Sequence, residues 1–291
     1  MSLFELISYW DSISDPRVQS WPLTDLYSPW IILFTYIYSV KRLPKYFKNR
    51  KSSSNGLRNI ILIYNLSMIL LNAFIVVSMI RNSYKARYNY FCQQTVYSYQ
   101  KNEHQIAFGV YLFYLSKVLE LLDTIFFIVR NKLTHVSFLH IYHHSTMPLF
   151  CWLGVKWFAG GTTIVPICVN ASVHIIMYSY YAIASFGDKM HPYLWWKKYL
   201  TKLQLTQFIG LMMFGVQYVY NDCRQANKVF IYLGFIYGTT MIGLFLNFYR
   251  KTYFANLKPF PCHLQSQDLK LKKRIPLLNQ SQQSDQKRPI R

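Results

Sequence analysis

The stretch "NIILIYNLSMILLNAFIVVSMI" (59–80) contains no charged residue and is apolar on nearly every helical face. A helix that crosses the hydrocarbon core of a bilayer needs about 20 residues of this kind. Seven such runs follow one another along the chain: about 26–40, 59–80, 106–129, 136–157, 163–185, 199–220 and 229–249. One soluble core cannot bury seven helices that are apolar on most faces. We therefore predict an all-α multi-pass membrane protein with seven transmembrane helices.

The distribution of positive charge predicts the orientation of these helices. The chain has 32 Lys and Arg against 11 Asp and Glu, a net charge of +21. By our assignment, the N-terminal segment and the even-numbered loops hold about 8 of the basic residues, while the odd-numbered loops and the C-terminal tail hold about 23. Basic loops stay in the cytosol, so we predict a lumenal N-terminus and a cytosolic C-terminus. The positive charge is explained by the orientation of the helices in the membrane and by attraction to anionic lipid headgroups. A nucleic-acid partner is not needed to explain it.

One membrane domain, residues 1–256, is expected, followed by a basic, disordered cytosolic tail, residues 257–291. The 5 cysteines are too few for a disulfide scaffold. Cys92 and Cys223 fall in two loops on the same non-cytosolic side, where an oxidising compartment would allow them to pair. Cys151 lies inside an apolar run and is interpreted as a small buried side chain.

The stretch "KVLELLDT" (117–124) places ionisable side chains inside an apolar run. Lys117, Glu120 and Thr124 follow one stripe of a helix, with Asp123 at its edge. Ionisable groups at bilayer depth are costly and are usually functional. Two interpretations remain open: an internally neutralised ion pair that locks helix packing, or a polar cluster that faces a cavity.

The stretch "LHIYHHSTM" (139–147) carries His140, His143 and His144. Positions i, i+3 and i+4 share one helical face, so the three rings are expected to converge on the interior of the bundle. The next two apolar runs also contain side chains that could line the interior, most of them polar. They are Asn170, His174, Met177, Tyr178 and Tyr181 in one run, and Thr201, Gln204, Thr206 and Gln207 in the other. Together these segments predict a mostly buried chamber with polar groups in its wall.

Two chemistries would use such histidines. Di-iron membrane desaturases also carry a His-x-x-His-His box, but they spread their ligands over several boxes. This chain has 8 histidines in total and a single box, so a di-iron centre is not expected. A zinc site built from His140, His144 and a carboxylate is conceivable, but no motif points to it. We therefore predict no metal.

The second chemistry is acid–base or nucleophilic catalysis, for which neutral imidazole is well suited near pH 7. A Claisen-type condensation holds an acyl group on a nucleophile, generates a carbanion equivalent by decarboxylation and stabilises an enolate oxygen with donors. A cysteine nucleophile would have to be Cys151, whose apolar neighbours give no reason for a lowered pKa. The residues alone do not choose His143 over His140 or His144.

Taken in order, the motifs resemble those of the very-long-chain fatty acid elongases of the ELO family, and they are most similar to the animal branch that acts on long, often polyunsaturated, acyl chains. The matching stretches are "DPRVQSWPL" (15–23), "YN" (64–65), "KVLELLDT" (117–124), "HVSFLHIYHH" (135–144), "NASVHIIMYSYY" (170–181), "LWWKKYLTKLQLTQF" (194–208) and "FLNFYRKTY" (245–253). The resemblance implies seven helices, six of them around a closed acyl tunnel, in the endoplasmic reticulum membrane. It also implies a 3-oxoacyl-CoA synthase, an acyltransferase that condenses acyl-CoA with malonyl-CoA and needs no cofactor.

By motif position, the resemblance makes His143 the nucleophile, which carries the acyl group, and His174 its partner at the reacting centre. Further residues implied in catalysis are His140, His144, Asp123 and Asn170. The implied substrate-binding residues are Lys117, Glu120, Arg130, Lys132, His135, Tyr178, Tyr180, Lys197, Thr201, Gln204 and Gln207. His135 stands where many relatives have Gln, and Cys92 and Cys223 match two family cysteines that can form a lumenal disulfide.

The expected partners are the substrates acyl-CoA and malonyl-CoA and the membrane lipid. A homo-oligomer and the other enzymes of the elongation cycle are further candidate partners. The alternative from another functional class is a seven-helix receptor or transporter that binds a ligand without chemistry. If the chain is an elongase, tunnel depth is expected to set the preferred chain length, through residues near the lumenal end of the sixth and seventh helices.

Overall fold

The computed structural model describes residues 3–48, 55–221, 223 and 228–254, and the regular structure in these ranges is entirely helical. We number the α-helices in chain order and leave the short 3-10 turns unnumbered. They are α1 Leu3–Ser12, α2 Ser28–Phe47, α3 Asn55–Lys85, α4 Lys101–Leu119, α5 Leu121–Val129, α6 Phe138–Trp157, α7 Ile164–Ser185, α8 Lys197–Tyr220 and α9 Lys228–Tyr253. The prediction of an all-α fold is confirmed for this part of the chain.

The chain divides into two compact units, Met1–Leu246 and Asn247–Arg291. Every residue of the site described below belongs to the first unit. In the second unit, the ring of Tyr249 packs against Tyr253, with centroids 5.0 Å apart. The predicted tail, 257–291, lies outside the described residues, so its boundary and its disorder stay predictions.

Three helical segments in the described ranges are long and apolar enough to cross a membrane: Gly56–Lys85, Gly161–Ser185 and Phe230–Tyr253, with mean hydropathies of 2.4, 1.4 and 1.5. The other predicted runs also coincide with helices, but basic or polar side chains lower their hydropathy. The number of seven crossings is therefore not confirmed and stays a prediction.

The run 106–129 is interrupted at Glu120, where one continuous helix was expected. The backbone N–H of Glu120 still donates to the carbonyl of Ser116, at 2.9 Å, but the N–H of Asp123 donates to Glu120 only three residues back, at 3.1 Å. This tighter 3-10 turn ends α4 and starts α5. Because α4 packs against α3 and α6 while α5 packs against α2, Lys117 and Thr124 no longer share one set of neighbours.

The packed centre of the first unit is formed by α3, α4, α6 and α7, with α3 lying along α7. At Gly109 of α4, a Cβ atom would come within 2.9 Å of Met79 on α3, so the two helices approach where only glycine leaves room. The segment before α2 is tied to this centre by the buried Asp15–Arg17 pair, 2.6 Å apart. Arg17 also donates to the carbonyl of Ala159, beyond α6.

Helices α8 and α9 form the remaining wall. Helix α8 packs against α7, whereas α9 is held by side chains, including a stacked pair of Phe150 and Phe230 with centroids 5.0 Å apart. A cavity remains between this wall and the packed centre.

Candidate active site

The cavity has a volume of about 300 Å³, and its wall is formed by α4, α6, α7, α8 and α9. Most of its lining is apolar or aromatic, contributed for example by Val110, Phe113, Met147, Phe150, Ile167, Phe208, Leu211 and Phe230. The side chains with hydroxyl, amide or imidazole groups that these five helices add are His143, Asn170, Gln207, Tyr218 and Tyr237. Pockets of this size with a few polar groups are typical of small-molecule sites, and the apolar wall suits an aliphatic chain.

The rings of the three histidines of α6 lie side by side, as their spacing predicts, but His140 and His143 contact different helices. The Nε2 atom of His140 lies 2.8 Å from the hydroxyl of Thr124 on α5. The Nδ1 atom of His143 lies 3.3 Å from the hydroxyl of Tyr237 on α9. His144 stands between them, with ring centroids 4.2 Å from His140 and 5.4 Å from His143. Of the three, all within the described residues, only His143 lines the cavity.

A buried polar cluster joins α4 to α7. Lys117 Nζ lies 2.7 Å from Glu120 Oε1, and His174 Nδ1 lies 2.9 Å from the same oxygen. An ionised carboxylate only accepts hydrogen bonds, so a neutral His174 ring that bonds to Glu120 carries its proton on Nδ1 and has its lone pair on Nε2. Lys117 Nζ also lies 4.5 Å from the ring centre of Phe113, which lines the cavity. The cluster therefore lies next to the cavity wall.

Asp123 and Thr124 begin two further hydrogen-bonded groups. The hydroxyl of Tyr178 donates to Asp123 Oδ2 at 2.8 Å, and Tyr64 on α3 lies 3.4 Å from the Tyr178 hydroxyl. The hydroxyl of Thr124, already in contact with His140, is 3.0 Å from the hydroxyl of Tyr36 on α2. These bonds connect five helices around the site.

A basic group lies where α5 ends and α8 begins. Arg130 follows α5, Lys132 and His135 lie in the connection to α6, and Lys197 is the first residue of α8. Partial burial, followed by the positive charges of Lys197, Lys132 and Arg130, lowers the pKa of the His135 ring below its usual value. The structure thus gathers the four predicted residues within electrostatic range of one another, where a polyanion would be attracted.

The remaining predicted binding residues lie on α7 and α8. Tyr180 is buried and packs edge-on against Trp196, with ring centroids 5.0 Å apart. The hydroxyl of Thr201 donates to the carbonyl of Lys197 at 3.3 Å, and the side-chain amide of Gln204 lies 3.5 Å from the sulfur of Met177. Gln207, one turn further along α8, is buried and faces the cavity.

Cys92 and Cys223 form a disulfide, with Cα atoms 5.7 Å apart. It joins the segment before α4 to the segment between α8 and α9. The backbone beside Cys92 is held closely: the N–H of Thr162 donates to the carbonyl of Gln93, and a Cβ at Gly161 would meet Thr95 N at 2.8 Å. Gly161 has φ +64°, a conformation that glycine adopts without strain. The disulfide thus holds the segment that closes one end of the cavity.

Among the described residues, no group of three or more His, Cys, Asp or Glu side chains is arranged to hold a metal ion. The His140 ring of the conceivable zinc site is hydrogen-bonded to Thr124.

Sequence reasoning missed Tyr36 and Tyr237 as members of the site. The chain has 25 tyrosines, many of them in apolar runs, so a single tyrosine there carries little information. Tyr237 has a weak sequence indication, because Thr240 follows it by three residues on the same face of α9. Tyr64 belongs to the matching stretch "YN" (64–65) and has no further sequence indication of its own.

A family model, "ELO: GNS1/SUR4 family", matches residues 21–259. The chain belongs to the ELO family. It is 43% identical over 251 residues to very long chain fatty acid elongase 4 of Homo sapiens, covering 85% of this chain and 78% of the relative. It is 39% identical over 257 residues to very long chain fatty acid elongase 2 of Mus musculus, covering 88% of this chain and 86% of the relative. Elongase 1 of Homo sapiens is 38% identical over 245 residues, which cover 82% and 86% of the two chains.

The matched region contains α2 to α9 and every residue of the cavity and of the buried clusters. The family resemblance expected from the motifs is therefore confirmed. The roles of the individual residues are not tested by it and stay predictions.

Proposed function

We propose that this ELO-family protein is a fatty acid elongase: a 3-oxoacyl-CoA synthase that condenses a long or very-long-chain acyl-CoA with malonyl-CoA. The observation that carries the proposal is the position of His143, which lines an apolar cavity beside the buried Lys117–Glu120–His174 cluster. The names of the relatives support the same activity.

In the first step, Nε2 of His143 attacks the thioester carbonyl of acyl-CoA, because Nδ1 is occupied by Tyr237. The carbon–sulfur bond breaks and sulfur takes the electron pair. The imidazole proton balances the thiolate, so the products are a neutral acyl-imidazole and CoA with a free thiol. The acyl chain occupies the apolar cavity.

In the second step, malonyl-CoA loses carbon dioxide, and the resulting enolate carbon attacks the acyl carbonyl. The carbon–nitrogen bond breaks, 3-oxoacyl-CoA forms and Nε2 recovers its electron pair. The imidazolate then takes up one proton from solvent, which restores the neutral ring. The enolate oxygen needs nearby donors. Asn170 suits this task, because it is buried, it lines the cavity and its Oδ1 has no hydrogen-bond partner among the described residues, so its amide can reorient towards a ligand.

We further propose that the helices α2 to α9 make seven crossings, with α4 and α5 together forming one, and that six crossings surround a closed acyl tunnel. The N-terminus lies in the lumen of the endoplasmic reticulum and the C-terminus in the cytosol. In this orientation the disulfide faces the oxidising lumen, and the basic group around His135 faces the cytosol, where the CoA phosphates enter. The charge distribution supports this orientation, and so does the placement of the disulfide and of the basic group at opposite ends of the helices.

The activity is tested with membranes from cells that express the chain, supplied with labelled malonyl-CoA and a panel of acyl-CoAs. We expect label to enter a 3-oxoacyl product that carries one more two-carbon unit than the acyl-CoA supplied. A ligand-binding protein without chemistry, the alternative class, would retain an acyl-CoA but release no labelled product.

Filling the cavity at Gly234 is expected to shorten the products. A Cβ added there would lie 3.8 Å from the ring of Phe150, an ordinary contact, so a larger side chain fits by extending into the cavity. Gly234→Val should lower the maximum product length by at least one elongation step. The readout is the chain-length distribution of the products by mass spectrometry.

Gly243→Val provides the matched control on the same helix, because nothing lies within 4 Å of a Cβ there and Gly243 is not part of the lining. Its product distribution should match that of the wild type. An unchanged distribution for Gly234→Val would show that the acyl chain does not reach this part of the cavity.

A further inference from the structure

Tyr237 lies next to Nδ1 of His143, the ring nitrogen that does not attack the acyl group. Its hydroxyl lies 3.3 Å from Nδ1, and it is the partner that α9 provides to the histidine box. The hydroxyl of Thr146 on α6 donates its proton to the carbonyl of Tyr142 at 2.7 Å, and its oxygen lies 3.4 Å from the same Tyr237 hydroxyl. A chain of hydrogen bonds thus runs from the backbone of α6 through Tyr237 to His143.

The ring of Tyr237 stacks against two aromatic rings of α6. It is nearly parallel to Phe150, with centroids 5.3 Å apart and planes at 14°, and it stacks on Tyr142 at 6.3 Å and 20°. The adjacent Gly238 approaches α8 so closely that a Cβ would meet the sulfur of Met212 at 2.5 Å. The hydroxyl is therefore positioned by packing rather than by the reach of a flexible side chain.

From this geometry we propose that Tyr237 is a positioning residue that holds His143 in the reactive orientation throughout the catalytic cycle, reversing the direction of its hydrogen bond as the acyl group comes and goes. The proposal rests on the acyl-histidine mechanism given above.

The reversal follows from the proton balance of the ring. In the free enzyme Nε2 must hold a lone pair to attack, so the proton of the neutral ring is on Nδ1, which donates to Tyr237. After acylation the acyl group occupies Nε2 and the ring has lost its proton, so Nδ1 has become an acceptor. A hydroxyl can donate as well as accept, so Tyr237 serves both states without movement of the ring. Its donation withdraws electron density from the ring and assists departure of the imidazole when the enolate attacks.

A phenylalanine at this position would keep the stacking but leave Nδ1 without its partner. Losing the partner of a buried polar group commonly costs enough to change a rate about tenfold or more. Tyr237→Phe is therefore expected to lower both the single-turnover acylation of His143 and the transfer of the acyl group to malonyl-CoA by at least about tenfold. The KM for malonyl-CoA should change little, because Tyr237 acts on the histidine and not on the CoA moiety.

Tyr142→Phe is the matched control. It removes a hydroxyl, bonded at 3.1 Å to Thr240, from the same α6–α9 contact without touching His143. The full-length chain is purified in lipid nanodiscs. Acylation is followed by the release of CoA thiol and by the mass of the acyl adduct, and transfer is followed by the decay of that adduct on addition of malonyl-CoA. Thermal unfolding of both variants shows whether either substitution disturbs the fold.

The expected result is a slow Tyr237→Phe variant with an unfolding temperature like that of Tyr142→Phe, and a Tyr142→Phe variant with wild-type rates. Equal acylation and transfer rates in the two variants would overturn the role of Tyr237 while leaving the elongase proposal intact. If His143→Ala still forms product at the wild-type rate, the acyl-histidine mechanism itself fails, and the inference fails with it.

Discussion

The variant His143→Ala is expected to lose elongation activity by a factor of about 10³ or more, the loss typical of removing a catalytic nucleophile. The physical reason is that no acyl-imidazole can form at the point where the apolar cavity meets the polar clusters. The measurement is product formation from labelled malonyl-CoA, together with the mass of the protein after incubation with acyl-CoA alone.

A variant of Cys151 distinguishes a histidine nucleophile from a cysteine nucleophile. Cys151 lines the same cavity from the same helix as His143, and soluble condensing enzymes use a cysteine. Cys151→Ala should retain the acyl adduct and most of its activity, since the thiol lies in an apolar wall. An adduct that survives in His143→Ala but disappears in Cys151→Ala would assign the nucleophile to the thiol and contradict the acyl-histidine mechanism.

The positions of the helices could be predicted from the sequence because they depend on local composition. Each of the seven apolar runs coincides with a helix or with the pair α4 and α5, since an apolar run of this length has no other way to satisfy its backbone in lipid. The interruption at Glu120 could not be predicted from the sequence. At this point the Glu120 carboxylate contacts Lys117 from the same helix and His174 from another, and periodicity contains no information about that third side chain.

The composition of the candidate site was predicted better than its arrangement. Spacing placed His140, His143 and His144 on one face, but a helical face is wide enough for neighbouring rings to meet different helices. One ring turned towards α5 and another towards α9, because Thr124 and Tyr237 offer hydroxyls there. Which hydroxyl each ring meets is set by tertiary packing, and only the family motif distinguished His143 in advance.

The second large effect is expected at Glu120. The carboxylate is buried and binds two groups at once, Lys117 at 2.7 Å and His174 at 2.9 Å. Glu120→Gln removes the negative charge and leaves the ammonium group of Lys117 uncompensated in a buried position. Breaking a buried ion pair in this way costs about 3–5 kcal/mol of folding free energy. We expect a marked fall in the unfolding temperature and the loss of elongation activity.

The double variant Glu120→Gln/Lys117→Met separates the two interpretations that the sequence left open. It removes both charges, and replacing a buried pair by neutral groups of similar volume is often close to neutral for stability. Stability should therefore return towards the wild-type value. Activity should not return, because Nδ1 of His174 no longer donates to a carboxylate, and the tautomer that keeps its Nε2 free as a base is no longer fixed. If activity recovered together with stability, the pair would serve only to lock α4 against α7, and His174 would need no charged partner for the chemistry.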